Sequence, residues 1–178
     1  MKHLFLFLSL SILISTAMKK IYTFSAQTNV KEWRIVNDGV MGGLSKSTLS
    51  LTPDGFGKFS GRILLENNGG FASVQIDKFT QVEKDIKFIV LRVKGDRKNY
   101  EFRLKSNRSQ NESYVQKFST SGEWQTIKLA INSFEPQFRG RKLTISNFNF
   151  ETIEQMSFLI ANKQQENFEL LIDWIALE

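Results

Sequence analysis

The polar side chains best suited to ligand binding lie in two glycine-rich segments, of which the first runs from Trp33 to Ser45. There Asn37 and Asp38 directly precede Gly39, and Asn and Asp side chains can bind hydroxyl groups or a cation. Backbone amides in such a loop can also bind an anion or a sugar. The competing interpretation is a tight turn, in which Asp38 caps its own backbone and the glycines adopt positive φ. Trp33 opens the segment with an indole ring that could stack on a sugar.

The second segment, Leu65 to Ser73, carries Glu66, Asn67 and Asn68 immediately before a Gly-Gly pair. Asn followed by Gly between apolar runs predicts a hairpin turn. Glu66, Asn67 and Asn68 are therefore candidate ligand-binding residues beside the first segment. The alternative is a turn that has no binding role and covers a buried Phe71.

A third loop, Phe134 to Arg141, contains two aromatic rings and two arginines. Its Arg139 is a candidate for binding a carboxylate through a forked pair of hydrogen bonds, and the alternative is a buried salt bridge to an acid in a turn. We expect the three loops to meet at one end of the fold, because polar and glycine residues concentrate in them while the strands carry the core.

Basic and aromatic residues are interleaved between Lys94 and Lys117, a pattern that some single-stranded nucleic-acid platforms show. Within it Tyr100 and Phe102 alternate with Glu101 and Arg103, a period of two that places rings and charges on opposite faces of a strand. The sequence therefore predicts a buried aromatic face, a solvated charged face and no nucleic-acid partner. The charged face is better suited to weak docking against an acidic partner or a membrane surface.

The residue types that are missing exclude most catalytic chemistry. The chain of 178 residues has no Cys, and its single His is His3. His3 lies in residues 1–17, where a basic start, an apolar stretch and small residues up to Ala17 predict a signal peptide. Without His3, no Ser-His-Asp triad and no His or Cys zinc site can form, so neither a catalytic residue nor a cofactor is expected. A structural Ca²⁺ held by oxygen ligands and an enzyme that uses carboxylates alone stay open.

Cleavage after Ala17 would leave one domain, residues 18–178, in the periplasm or outside the cell. An uncleaved segment, or a start at Met18, would instead leave the chain membrane-associated or in the cytoplasm. The sequence does not determine the oligomeric state.

Short apolar stretches of alternating polarity, separated by Gly, Asn, Asp and Ser, run through residues 18–178. About ten short antiparallel strands with such punctuation are typical of an all-β sandwich or jelly roll. Phe88–Leu91 and Phe168–Ile175 are apolar on both faces and are predicted as central strands. Thr152–Gln155 is the best short helix candidate.

Several of these pieces together resemble the complex I intermediate-associated protein 30 family. The pieces follow the family's order and are Trp33–Ser45, Gly61–Ser73, Val93–Asp96, Tyr100–Arg103, Trp124, Phe138–Gly140 and the Ile-Asp-Trp-Ile at residues 172–175. The chain departs from the family pattern after Asp96, where Arg97 and Lys98 replace the usual glycine, so no ligand role is carried over to Asp96.

The resemblance implies a galactose-binding-like β-sandwich and a non-enzymatic role, because mitochondrial relatives assist assembly of the respiratory NADH dehydrogenase. We therefore expect a binding domain of the assembly-factor type whose partner is a protein, with respiratory-complex subunits as candidates. The alternative is a secreted carbohydrate-binding module with a glycan ligand and a structural Ca²⁺, since many carbohydrate-binding modules share this fold.

Overall fold

A computed structural model describes residues 18–178 of the chain. The predicted signal peptide and its cleavage after Ala17 lie outside these residues. Within the described part, no helix is both long enough and apolar enough to cross a membrane.

Thirteen strands and four short 3₁₀ turns make up the regular structure of residues 18–178. The strands are β1 (Lys19–Thr23), β2 (Trp33–Asn37), β3 (Lys46–Leu51), β4 (Gly57–Ile63), β5 (Ala72–Gln81), β6 (Phe88–Lys94), β7 (Asn99–Lys105), β8 (Ser113–Ser119), β9 (Gln125–Ala130), β10 (Glu135–Phe138), β11 (Arg141–Lys142), β12 (Thr152–Ile160) and β13 (Glu166–Leu177). The 3₁₀ turns are Val30–Glu32, Asp38–Met41, Glu66–Asn68 and Ile131–Ser133.

The strands form two antiparallel sheets that pack face to face, as the alternating sequence predicts. The six-stranded sheet has the order β3-β4-β13-β6-β9, with β1 also paired to β13. The seven-stranded sheet has the order β11-β10-β8-β7-β12-β5-β2. The all-β sandwich is therefore confirmed, and both predicted central strands are internal: Phe88–Leu91 lies in β6 and Phe168–Ile175 in β13.

The core between the sheets is aromatic. Phe102 on β7 and Phe158 on β12 are fully buried, and their ring centroids are 4.9 Å apart. Tyr100, Phe102 and Leu104 are all buried while the charged residues between them face outward, which confirms the period-two prediction for β7. Burial of rings of this size is the main stabilising contribution expected of such a core.

Two local predictions are wrong. The helix candidate Thr152–Gln155 is the beginning of β12, where pairing with β5 overrides the weak helical pattern of so short a window. The Asn68-Gly69 turn does not form a hairpin, because β4 and β5 belong to different sheets. The turn instead carries the chain from one sheet to the other.

Asp96 connects the two sheets beside the turn between β6 and β7. Its Oδ1 accepts a hydrogen bond from the Tyr100 hydroxyl at 2.7 Å, and its Oδ2 accepts from Lys98 Nζ at 2.6 Å and from the backbone N of Glu169 at 3.1 Å. Tyr100 belongs to the seven-stranded sheet and Glu169 to the six-stranded one. Burial, with the hydrogen bond to Asp96, raises the pKa of the Tyr100 phenol far above its usual value. Asp96 therefore has a structural role.

Replacing Tyr100 with Phe is expected to lower the free energy of unfolding by about 1.5 kcal/mol, because a hydrogen bond to a charged acceptor is lost while the ring stays packed. Chemical denaturation at neutral pH measures the loss. Tyr114→Phe is the matched control, since this buried phenol forms no hydrogen bond with any residue from 18 to 178. Equal losses in the two variants would contradict the connecting role of Asp96.

Candidate binding site

The carboxylate of Asp38 joins the two glycine-rich segments. Asp38 is fully buried at the end of β2. Its Oδ1 accepts a hydrogen bond from the backbone N of Ser45 at 3.0 Å, and its Oδ2 accepts from the backbone N of Gly70 at 2.7 Å and of Phe71 at 3.3 Å. Burial by itself raises the pKa of this carboxyl, but hydrogen bonds from Ser45, Gly70 and Phe71 outweigh burial and hold the pKa below its usual value.

The glycines of both segments leave room for this carboxylate. A Cβ on Gly43 would lie 2.5 Å from Asp38 Oδ1, and one on Gly69 would lie 2.8 Å from Asp38 Oδ2. Ser45 adds a second connection, because its Oγ accepts from the backbone N of Leu64 at 3.0 Å. The spacing of Asp and Gly residues therefore arises from the packing of one loop on the other.

Trp33 and Asn37 are also held by contacts within the protein. Trp33 is buried and stacks on Phe24, with ring centroids 5.6 Å apart. The Asn37 side-chain oxygen accepts from Ser47 Oγ at 2.7 Å. Trp174 is buried as well. Trp33 and Asp38 are buried behind the loop surface, whereas Asn37 is partly exposed, and direct contact with a ligand stays a prediction for all three.

Glu66, Asn67 and Asn68 lie on the surface of the second segment. Asn67 and Asn68 have φ of 57° and 58°, left-handed values that asparagine tolerates better than most residues. Their side chains are exposed beside the connection made by Asp38, and their binding role also stays a prediction. Phe71, considered above as a buried residue, is only partly buried.

The three loops meet around one cleft, which we name the loop-end cleft. Its lining consists of Met41, Phe71, Arg103, Arg139, Gly140, Leu159 and Ala161. Met41 comes from the first segment, Phe71 from the second and Arg139 from the third. Arg139 is exposed, its guanidinium lies 5.3 Å from the centroid of the Phe138 ring, and it forms no ion pair within residues 18–178. The alternative of a buried salt bridge for Arg139 is therefore wrong.

A second depression, which we name the sheet groove, adjoins the loop-end cleft on the outer face of the seven-stranded sheet. It is lined by Arg34, Val36, Phe71, Ser73, Gln75, Arg103, Lys105, Arg108, Ser113, Gln155, Ser157 and Leu159. The two depressions share Phe71, Arg103 and Leu159. Ser157 and Gln155 are only 8% and 7% exposed although they point away from the core, so they form the floor of a concave surface.

Strand register sets the order of side chains across the sheet groove. Arg34 on β2 pairs with Gln75 on β5, Gln75 pairs with Ser157 on β12, and Ser157 pairs with Arg103 on β7. Lys105 is partly desolvated in the next row, and its pKa is lowered by burial and by the nearby Arg34, against the opposing effect of Glu112 and Asp77.

Most residues of the sheet groove were not candidates from the sequence. Arg103 belongs to the charged outward face that the sequence predicts for β7, whereas Arg34, Gln75 and Ser157 each come from a different strand. The sequence offers a signal for one of them, since Ser157 is a polar residue between Met156 and Phe158 in the buried second half of β12.

Residues 18–178 contain no group of three or more acidic, His or Cys side chains placed to hold a metal ion. Ca²⁺ binding stays a prediction that rests on the residue types alone.

Comparison with known proteins bears on both the family and the fold. A family model described as complex I intermediate-associated protein 30 matches residues 22–172. A search of curated proteins gives no significant match.

Solved structures share the sandwich at low sequence identity. The family 11 carbohydrate-binding module of the cellulosomal cellulase Lic26A-Cel5E of Clostridium thermocellum is 17% identical, with a TM-score of 0.66 over 92% of this chain and 95% of that one. The family 11 module from Clostridium thermocellum in complex with a β-1,3-1,4-mixed-linked tetrasaccharide is 16% identical, with a TM-score of 0.65 over 92% of this chain and 96% of that one. At these identities the likeness establishes the galactose-binding-like fold alone.

Proposed function

The chain belongs to the complex I intermediate-associated protein 30 family, and from this premise we propose that it is a non-enzymatic binding domain that holds a partner protein during assembly. The observation that carries the proposal is the loop-end cleft, to which three separate loops each contribute a side chain. A surface built by this many converging segments is typical of a binding site supported by a rigid scaffold.

The surroundings of the loop-end cleft support a protein partner. Val40, Met41, Leu44 and Leu65 are 73%, 56%, 48% and 41% exposed, and all four lie in the two segments that Asp38 joins. Large apolar side chains clustered at one end of a domain mark interaction surfaces more often than scattered ones do. Subunits of the respiratory NADH dehydrogenase are the partner class that the family indicates.

A second candidate is glycan binding, favoured by the hydroxyl and amide side chains on the floor of the sheet groove. Ser157, Gln155 and Gln75 could donate to and accept from sugar hydroxyls. The family 11 module that shares this fold was solved in complex with a β-1,3-1,4-mixed-linked tetrasaccharide, and this supports testing glycan binding beside protein binding.

Purification of the tagged full chain from fractionated cells tests the proposal. We expect a partner protein to co-purify with the wild type and to fall about tenfold in Met41→Asp, because a charge would enter the loop-end cleft. Ile145→Asp is the control, since Ile145 is 52% exposed and belongs to neither depression. Sequencing of the bait's N-terminus tests cleavage after Ala17 in the same sample.

Each outcome distinguishes the candidates. Recovery of respiratory subunits would identify the partner class, and recovery of any other defined protein would retain the binding role with a different partner. A bait that retains glycans but no protein would favour the second candidate. Equal loss in the two variants would contradict a role for the loop-end cleft.

A further inference from the structure

We propose that the sheet groove and the loop-end cleft together bind an extended acidic segment of the partner protein, with an apolar anchor residue in the cleft and carboxylates along the groove. The inference rests on the proposed function, because it presupposes a protein partner, and it adds the chemistry of the segment that the partner must present.

The charge of the lining is the first argument. The side chains that line the two depressions include five basic ones, Arg34, Arg103, Lys105, Arg108 and Arg139, and no acidic one. Four acidic residues stand at the margin. Glu101 binds Arg103 through two hydrogen bonds of 2.9 and 2.6 Å, and Asp77 lies 3.9 Å from Arg34. Glu154 accepts a hydrogen bond from the backbone N of Arg108 at 3.1 Å, and Glu112 lies near Lys105. Lys105, Arg108 and Arg139 form no ion pair within residues 18–178. The surface therefore keeps an excess of positive charge that favours an anionic ligand.

The arrangement of the basic groups is the second argument. Arg34 and Arg103 end a row that crosses four neighbouring strands, with Gln75 and Ser157 between them. Neighbouring strands lie about 4.8 Å apart, so the backbones of β2 and β7 are separated by ~14 Å. An extended peptide spans that distance in about four residues, which places residues i and i+4 on the same side. Two carboxylates at this spacing would reach Arg34 and Arg103 together, and guanidinium groups bind carboxylates in a fork.

The apolar part of the lining separates a peptide from an anionic polysaccharide. Met41, Phe71 and Leu159 give the loop-end cleft an apolar wall directly beside Arg103 and Arg139. A leucine or phenylalanine side chain next to acidic residues would match both parts of the surface. A sugar acid has charges but no apolar side chain for this wall, and neither depression is lined by the Trp or Tyr rings that commonly stack on sugars.

Fluorescence anisotropy with a labelled nine-residue peptide tests the inference on the full chain. The peptide carries glutamates at positions three and seven and leucines at both ends, so that either chain direction can place a leucine in the cleft. We expect binding that weakens about tenfold when both glutamates become glutamine, and about fivefold when both leucines become serine. The double variant Arg34→Gln with Arg108→Gln should weaken binding of the acidic peptide about tenfold.

The matched control is Arg62→Gln, because Arg62 is an exposed arginine on the outward side of β4 in the opposite sheet. Arg62→Gln should leave the affinity unchanged. Thermal unfolding should show that all variants stay folded, since Arg34, Arg62 and Arg108 are exposed. Equal weakening by Arg62→Gln would mean general charge attraction and would overturn the inference.

Sugar probes complete the test. Tetragalacturonate and a neutral β-1,3-1,4-mixed-linked tetrasaccharide are titrated under the same conditions, and we expect neither to compete with the peptide. Competition by tetragalacturonate, or failure of the acidic peptide to bind while a partner protein still co-purifies through the loop-end cleft, would overturn the acidic-segment inference and retain the proposed function.

Discussion

Replacing Asp38 with alanine is expected to lower the free energy of unfolding by about 4 kcal/mol, because three backbone N–H groups lose a charged acceptor at once. Chemical denaturation of the variant and the wild type at neutral pH measures the difference. Asp54→Ala is the control, since Asp54 lies exposed in the turn between β3 and β4, and it should change stability by less than about 0.5 kcal/mol.

Asp38→Asn should not rescue the loss. One carboxylate oxygen accepts from Ser45 and the other from Gly70 and Phe71, so either orientation of an amide would turn its NH₂ group toward a backbone N–H. Asp38→Asn is therefore expected to lower the free energy of unfolding by at least half as much as Asp38→Ala does. A fully stable Asp38→Asn variant would contradict the assignment of Asp38 as a charged acceptor for both segments.

The same carboxylate predicts a pH dependence. The folded pKa of Asp38 is lower than its unfolded value, so its stabilising contribution is present above the unfolded pKa of about 3.9 and is lost as the pH falls toward the folded pKa. The difference in stability between the wild type and Asp38→Ala should therefore be largest near neutral pH and should shrink below about pH 4. Denaturation curves collected across this range measure it.

Replacing Gly43 with alanine is the second large expected effect, a loss of about 3 kcal/mol. The new Cβ would lie 2.5 Å from Asp38 Oδ1 and 2.8 Å from Asp38 Cβ, which is closer than atoms approach without a shift of the backbone. Because Asp38 is held by both segments, moving it would also weaken the hydrogen bonds to Gly70 and Phe71. Thermal and chemical unfolding both measure the loss.

Gly39→Ala provides the matched control within the same segment. A Cβ on Gly39 would meet nothing within 4 Å, and its backbone is not in the left-handed region, so we expect a change of less than about 0.5 kcal/mol. If Gly39→Ala and Gly43→Ala were equally destabilising, the cause would be flexibility of the glycine-rich segment and not the space that Asp38 occupies. The double variant Gly43→Ala with Asp38→Ala should lose less stability than the sum of the losses in the two single variants, because alanine at position 38 removes the clash.

These effects on stability matter for the proposed function, because the two glycine-rich segments position the surface that we propose for binding. Asp38 and Gly43 belong to the first segment, and Met41 of the same segment lines the loop-end cleft. A variant at position 38 is expected to lose partner binding through misplacement of Met41 and Phe71. Loss of binding in a destabilised Asp38 variant therefore does not identify Asp38 as a contact residue, whereas Met41→Asp and the arginine variants act at the surface itself.

Much of the fold could be predicted from local patterns. Alternation in β7 placed Tyr100 and Phe102 in the core, and apolar runs identified β6 and β13 as internal strands. The sequence does not predict the two short strands β10 and β11 or the start of β12, because these segments have no clear period of two. They become strands by pairing: β10 with β8 and β11, and β12 with β5. Asn68-Gly69 does not form the predicted hairpin, because a turn signal does not indicate which sheet the chain enters next.

The candidate site could also be predicted only in part. Sequence alone establishes that residues 18–178 contain no His or Cys, and it predicts that Asp38 and Gly39 belong to a loop and that β7 has a charged outer face. These are properties of composition and of neighbouring residues. The contact between Asp38 and Gly70, 32 residues away, and the row across four strands that Arg34 and Arg103 end are visible only in the folded protein. The physical reason is that strand register and the packing of one loop on another are set by contacts between distant residues, which a local pattern does not encode.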